Sequence, residues 1–316
     1  MKIFIKKRIK LIIILVLLIL ETFKISTDAS SLGTGSKNIN YNREAAREYA
    51  LKWATSSNSK YYNYVNEGGD CTNFVSQVLR AGGLEFVGSK ANATSIKSWF
   101  YYSQNLPNRT STWTAAQPFA LHFGKEYERA YAFKEYKLID ALENWDTIYE
   151  SLLPGDIVQY ARQNNIAFHS QAITDLIEKN RTIYFCQHSN SMEYFRKNGN
   201  LRYYLMGKPN DYNFYIYNIK EDSVNRSENL EIKSSNNLDN SKTEEDYRKE
   251  LIEALDIIKL SLEDTRIENE KNYDEKTKIF IDKMDKRIEE VEFHINKRGK
   301  SSKELLDILL ERTSLD

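Results

Sequence analysis

The chain has 316 residues, with 45 Lys and Arg balanced by 45 Asp and Glu. That length holds one substantial domain plus additional material. The even charge gives no argument for a polyanion partner, so no nucleic-acid partner is expected. Two cysteines, Cys71 and Cys186, are too few for a disulfide scaffold in a chain of this size.

Met1–Lys10 carries Lys2, Lys6, Lys7, Arg8 and Lys10, and Leu11–Leu20 follows as an unbroken apolar run. A basic run before about ten apolar residues has the form of a secretory signal peptide, and the run is short of the roughly 20 residues of a membrane-spanning helix. Thr27 and Ala29 have the spacing of a cleavage site, which assigns residues 1–29 to a signal peptide and the mature chain to the outside of the cell. An uncleaved signal would leave the protein membrane-anchored. No cysteine follows the apolar core, which argues against a lipid anchor. Removing six basic and two acidic residues leaves 39 basic against 43 acidic, a mildly acidic soluble chain. The overall composition resembles that of exported bacterial proteins.

In "NYNREAAREYALKWATS" (40–56), Ala45, Ala46, Tyr49, Ala50 and Trp53 recur at helical spacing, with Asn42 as the cap. A Tyr- and Asn-rich loop, "NSKYYNYVNEGG", leads into "GGDCTNFVSQVLRAGG" (68–83). There Phe74, Val75, Val78 and Leu79 form one apolar face and Gly82-Gly83 end the helix that Cys71 opens. Residues 84–150 are aromatic-rich and are expected to be helices and loops. From Pro154 onward "GDIVQYA" (155–161), "HSQAITDLIE" (169–178), "TIYFCQHS" (182–189) and "LRYYLMG" (201–207) read as antiparallel strands. Helices first and sheet second define an α+β fold. Residues 219–242 are polar and predict a linker. Beyond it, 243–316 is a helical, coiled-coil-like tail, with stripes at Leu251, Leu255, Ile258 and Leu262 and at Phe280, Met284, Ile288, Val291 and Ile295. Ser301 and Glu304 have the spacing of a capping box.

A cysteine at a helix start is stabilised as thiolate by the unpaired N–H groups and the dipole. The same N–H groups can hold the oxyanion of acyl transfer. A thiolate nucleophile also needs a base and a group that orients the base. Of the four histidines, His294 is in the tail and His122 is in the mixed region, where a structural role is expected. His169 opens one strand and His188 ends the next.

"YNREAAREYALKWA", "GGDCTNFVSQVLRAGG", "SWF…STWTAAQPF", "PGDIVQYA", "HSQAIT" and "QHS" together resemble the Putative amidase domain family of secreted bacterial proteins, over residues 40–210. "GDCTNFVSQ" is the most specific of these strings and "QHS" the least. The family looks like a distant relative of papain-like cell-wall amidases and endopeptidases, so the resemblance implies a papain-like core. It further implies Cys71 as nucleophile and His169 as general base, with His188, or alternatively Asn190, orienting His169. Asp70, Tyr61, Tyr62 and Tyr64 are candidates for the oxyanion or substrate site.

Blander assignments stand beside these. Cys71 is either the nucleophile, one end of a disulfide to Cys186, or an inert buried thiol. By strand alternation Cys186 and His188 share a face. Asp156 in its Pro-Gly-Asp turn is a turn residue, and Trp99 and Trp113 belong to the core or line a cleft. The mechanism implied is a Cys-His thioester hydrolysis of an amide bond, with no metal and no cofactor. The substrate is a peptide or amide, with peptidoglycan stem peptides among the options. Two other functions remain open: a catalytically inactive papain-like binding module, and an interaction protein acting through its tail. The tail has three conceivable uses: binding a protein partner, self-association, or folding back over the domain.

Overall fold

The computed structural model describes residues 37–221, 242–297 and 299–311. The expected signal peptide at 1–29 and nearly all of the expected linker lie outside the described residues.

Asn42 accepts a hydrogen bond from the Ala45 N–H and opens α1 (Arg43–Trp53), which buries Ala46 and Ala50. Such a cap is worth about 1 kcal/mol. Helix α2 (Cys71–Ala81) is more deeply set, with every residue from Cys71 to Leu79 buried. Gly68 and Gly69, at φ +103° and +121°, make the turn that feeds it. Side chains with a Cβ are strained there. Two short helices follow, α3 (Ser111–Thr114) and α4 (Ala116–Ala120).

The sheet has six strands, all paired antiparallel: β1 (Ala132–Lys137), β2 (Ile157–Ala161), β3 (Ala167–Ile177), β4 (Thr182–Gln187), β5 (Arg196–Asn200) and β6 (Asn213–Asn218). Their spatial order is β1-β6-β2-β3-β4-β5. Between β1 and β2 lie α5 (Leu138–Glu143) and α6 (Trp145–Ser151), and α7 (Leu201–Met206) separates β5 from β6. The α+β expectation holds, but β6 pairs with both β1 and β2 inside the sheet. The domain therefore continues past residue 210.

The alternation of strand side chains divides the core in two. Ile157, Ala161, Tyr215 and Tyr217 face α1, α2 and a set of aromatics that includes Trp99, Trp113 and Phe119. Val158, Tyr160, Phe214 and Ile216 face the opposite layer. That second layer contains the C-terminal helices α8 (Glu244–Lys271), α9 (Glu275–Lys297) and α10 (Ser302–Leu310).

Of the three uses open to the tail, the structure shows folding back. Capping boxes at Thr243–Asp246 and Ser301–Glu304 start α8 and α10. Leu251, Ile258 and Leu262 are buried in one core with Tyr204, Leu205 and Phe185. Each such aliphatic side chain contributes about 2 kcal/mol on burial. Ser261 Oγ donates to the Tyr204 carbonyl at 2.5 Å, and Thr265 Oγ1 to that of Gly207 at 3.2 Å.

"LRYYLMG" is a helix and not the expected strand. Asn200 accepts from the Arg202 N–H, and Leu201, Tyr204 and Leu205 fall on one helical face against α8. The aromatic composition that suggested a strand is satisfied by packing. Strands β1, β5 and β6 were not anticipated. Asp156 is a turn residue as expected. Its carboxylate takes hydrogen bonds from Arg43, the Leu153 N–H, Asn218 and the Ile219 N–H.

Candidate active site

Asp70 occupies the capping position of α2, yet its side chain makes no capping bond. Its Oδ1 accepts from the Tyr64 N–H at 2.9 Å and from Asn73 Nδ2 at 2.8 Å, while Oδ2 lies 2.6 Å from His188 Nδ1. The opening N–H groups of the helix are thus left without a side-chain acceptor beside the Cys71 thiol. The rest of "GDCTNFVSQ" anchors the helix. Thr72 Oγ1 bonds Ser170 Oγ at 2.9 Å, Asn73 Oδ1 accepts from Trp113 Nε1 at 2.8 Å, and Gln77 Oε1 accepts from Tyr49 at 2.7 Å.

His169 comes from β3 at a bulge. Tyr160 pairs with His169 and Ala161 with Ala167, which leaves Phe168 extra. Bulges re-aim neighbouring side chains. The His169 ring and the Cys71 thiol line the same small cleft and are electrostatically coupled. Its Nε2 lies 3.0 Å from Gln187 Oε1. The orientation of that amide follows from its neighbours. Gln171 Nε2 donates to the same oxygen at 2.6 Å, and Gln187 Nε2 donates to the Tyr194 carbonyl at 3.1 Å. An oxygen facing Nε2 requires the proton on Nε2, which leaves the Nδ1 lone pair for the thiol.

A third group comes from the tail. Asp264, on α8, places Oδ2 3.9 Å from His169 Nε2. Its carboxylate accepts from Tyr204 OH at 2.6 Å, Ser189 Oγ at 2.7 Å and Gln187 Nε2 at 3.3 Å. Nearby, Lys208 is buried, with Nζ donating to the Ser261 carbonyl and to Thr265 Oγ1.

The electrostatics follow from this placement. Burial pushes the Cys71 thiol up, but the hydrogen bond and charge of His169, with Thr72 and the Ser170 backbone, bring it below its ordinary value. Burial pushes His169 down, and Asp264 and Cys71 outweigh that and raise it. Asp264 is held below the usual carboxylate range because His169, Lys208, Tyr204 and Ser189 outweigh its burial. Burial lowers Lys208 to about 8.

Cys71 and His169 open into a cleft of about 40 Å³, walled by Gly68, Gly69 and Asn190 on one side and by Asp264, Glu268 and Lys271 of α8 on the other. A second, open groove of about 460 Å³ lies between α8, α9 and the Glu193–Arg196 segment, away from Cys71.

The sequence-derived candidates divide as follows. Cys71 and His169 are together. His188 is not beside His169: its nitrogens meet Asp70 and the Trp53 carbonyl, and its ring stacks between Phe74 and Phe195. Gln187, one position earlier, holds His169 instead, because it projects from β4 on the face that His169 occupies. Asn190 lines the cleft, but its side-chain oxygen accepts from Ser189 and the bond to the His169 ring comes from Gln187. Asp70 points away from the cleft. Tyr61 stacks on Trp113, Tyr64 OH bonds the Gln104 carbonyl, and Tyr62 meets Tyr64 edge-on; none of the three lines the cleft.

Cys71 and Cys186 are free thiols, so the disulfide alternative does not describe this structure. Cys186 lies in the core on the helix side of the sheet. Trp99 and Trp113 are core residues. His122 is buried, with Nδ1 2.5 Å from the Ile96 carbonyl.

The fold and site define an α+β protein built around a buried cysteine–histidine pair. The chain belongs to the Putative amidase domain family, whose sequence model matches residues 40–217. It is also similar to "Uncharacterized protein YjcM" of Bacillus subtilis (strain 168), 28% identical over 157 residues. That match takes in 47% of this chain and 31% of the relative, so the chain spans under a third of the relative's length. No solved structure matches the chain. Asp264, Glu268 and Lys271 all come from beyond the family-matched segment.

Proposed function

We propose that this chain is a secreted, cysteine-dependent amidase or peptidase that hydrolyses an amide bond through a thioester on Cys71. The coupled Cys71–His169 pair, brought into one cleft at an uncapped helix start, carries the reading. In this mechanism His169 Nδ1 takes the thiol proton and the sulfur adds to the amide carbonyl carbon. The opening N–H groups of α2 receive the oxyanion. On collapse the C–N bond breaks and His169 gives its proton to the departing amine. His169 then removes a proton from water, which adds to the thioester. The C–S bond breaks, the acid leaves, and the Cys71 thiol is restored. Gln187 keeps the imidazole in the tautomer that both half-reactions need. The order Cys71, His169, Gln187 along the chain is that of papain-like hydrolases.

The signal-like residues 1–29 support an extracellular substrate, and peptidoglycan stem peptides are the first class to try. The test is amine release from stem peptides, unrelated peptides and small amides by the mature chain and by Cys71→Ser. Release by the wild type and none by Cys71→Ser is expected. Equal release from both proteins contradicts the reading. The narrowness of the cleft favours one competing reading, an inactive binding module. That reading predicts retained peptide affinity in Cys71→Ser and turnover in neither protein.

A further inference from the structure

The half of the chain matched by the family model does not complete the surroundings of His169. At the Nε2 edge of the imidazole lies the carboxylate of Asp264, 3.9 Å away. Tyr204, Ser189 and Gln187 each donate to it, and the residue is 6% exposed. A carboxylate so enclosed has a fixed position and remains charged only in company with a cation. Two cationic groups are at hand, His169 and Lys208, and both couple to it. Gln187 sets which nitrogen of His169 carries the proton, but an amide brings no charge to favour the imidazolium. Asp264 does.

We propose that Asp264, delivered by α8 from outside the family-matched segment, is the positioning residue that stabilises the protonated form of His169, so that the C-terminal helices are part of the catalytic centre. The inference rests on the Cys71–His169 reading above. It gives the tail a catalytic purpose, beyond that of a partner-binding appendage. The helix that supplies Asp264 also supplies Glu268 and Lys271, which follow at helical spacing and wall the same cleft, so α8 helps to set what can enter. The groups around His169 are Cys71 from α2, Tyr160 from β2, Gln187 from β4, Tyr204 from α7, Lys208 after α7 and Asp264 from α8. Glu268, paired with Arg162 at 3.0 Å, is the next acid along α8.

The consequence is a sign. Without the carboxylate charge the imidazolium is less favoured, so His169 gives up its proton, and the thiolate–imidazolium pair is lost, at lower pH. Asp264→Asn, close to isosteric, should move the alkaline limb of kcat/KM, where the imidazolium loses its proton, about one pH unit downward, a fall of about tenfold at a pH above the limb. kcat should fall with it while KM stays near the wild-type value, and Asp264→Glu should recover part of the loss. A residue that merely anchors α8 would lower the unfolding midpoint and leave the pH limb of the folded protein in place; that outcome overturns the proposal.

A second measurement does not depend on how well Asp264→Asn folds. In the full chain carrying Cys71→Ser, the His169 ring signals should titrate above the ordinary 6.5. Titration at or below that value overturns the proposal. If wild-type Cys71 shows no low-pH reactivity at all, the cysteine-hydrolase reading falls and the inference falls with it. A reactive wild type with an unshifted Asp264→Asn removes the inference alone.

Discussion

His188 Nδ1 and Asp70 Oδ2, 118 positions apart in the chain, lie 2.6 Å from one another and close the loop before Cys71 onto the end of β4. The backbone makes the same join, the Asp70 N–H donating to the Ser189 carbonyl. Both side chains are buried. The pair therefore holds the helix start in place, and its cost on rupture should appear as lost stability. Asp70→Ala leaves His188 without its acceptor among Phe74 and Phe195, and should cost about 3 kcal/mol. Urea denaturation would measure this. An unchanged midpoint with a shifted pH–rate profile would instead return His188 to the catalytic group.

Gln187 offers the converse case. Gln187→Leu removes the acceptor for His169 Nε2 and releases the ring to the wrong tautomer. Loss of about a hundredfold in kcat is expected, the scale of a misaligned catalytic group. Steady-state kinetics would show it, and wild-type kcat in a well-folded Gln187→Leu would remove the residue from the mechanism.

The His169–Asp264 pair also makes stability depend on pH in a stated direction. Asp264 is depressed from 3.8, so its contribution is present above that value and is lost as pH falls through its folded pKa. His169 is raised from 6.5, so its contribution is full below that value and is lost as pH rises through the folded pKa. Both act together in mildly acidic solution. The stability difference between wild type and Asp264→Asn should therefore narrow as pH is taken from about 6 to about 9. Denaturation midpoints at several pH values would reveal a constant or widening difference if the linkage were absent.

Packing of the tail can be disturbed far from any ionisable group. A Cβ at Gly207 would lie 2.6 Å from Ser261 Cβ and 2.8 Å from the Ile258 carbonyl. Gly207→Ala should push α8 outward at a cost of about 2 kcal/mol. Asp264 sits one turn beyond Ser261, so activity should fall with it. Thermal unfolding and amide hydrolysis, followed on one preparation, would show whether the two losses occur together.

How much of this was legible beforehand depended on range. Helix α2 and its cysteine could be read from local signals, because Phe74, Val75, Val78 and Leu79 repeat at helical spacing and glycines flank them. The capping boxes at Thr243 and Ser301 are equally local. Gln187 was missed by one position. Strand parity gives the faces of Cys186 and His188, but not which face meets His169. Helix α7 reads as a strand because Tyr and Leu suit a strand as well as a buried helix, and the cap at Asn200 is its local helical signal. Asp264 carried no sequence signal: it is one acid among many in a charged helix, and its value arises only when α8 packs on the sheet.

Site-resolved iodoacetamide labelling of the native, reduced chain at about pH 6, with and without His169→Ala, tests the central claim most directly. The account predicts rapid labelling of Cys71 that His169→Ala abolishes, with Cys186 silent because burial pushes its thiol up to about 11. Slow labelling of Cys71, or labelling indifferent to His169, would contradict it.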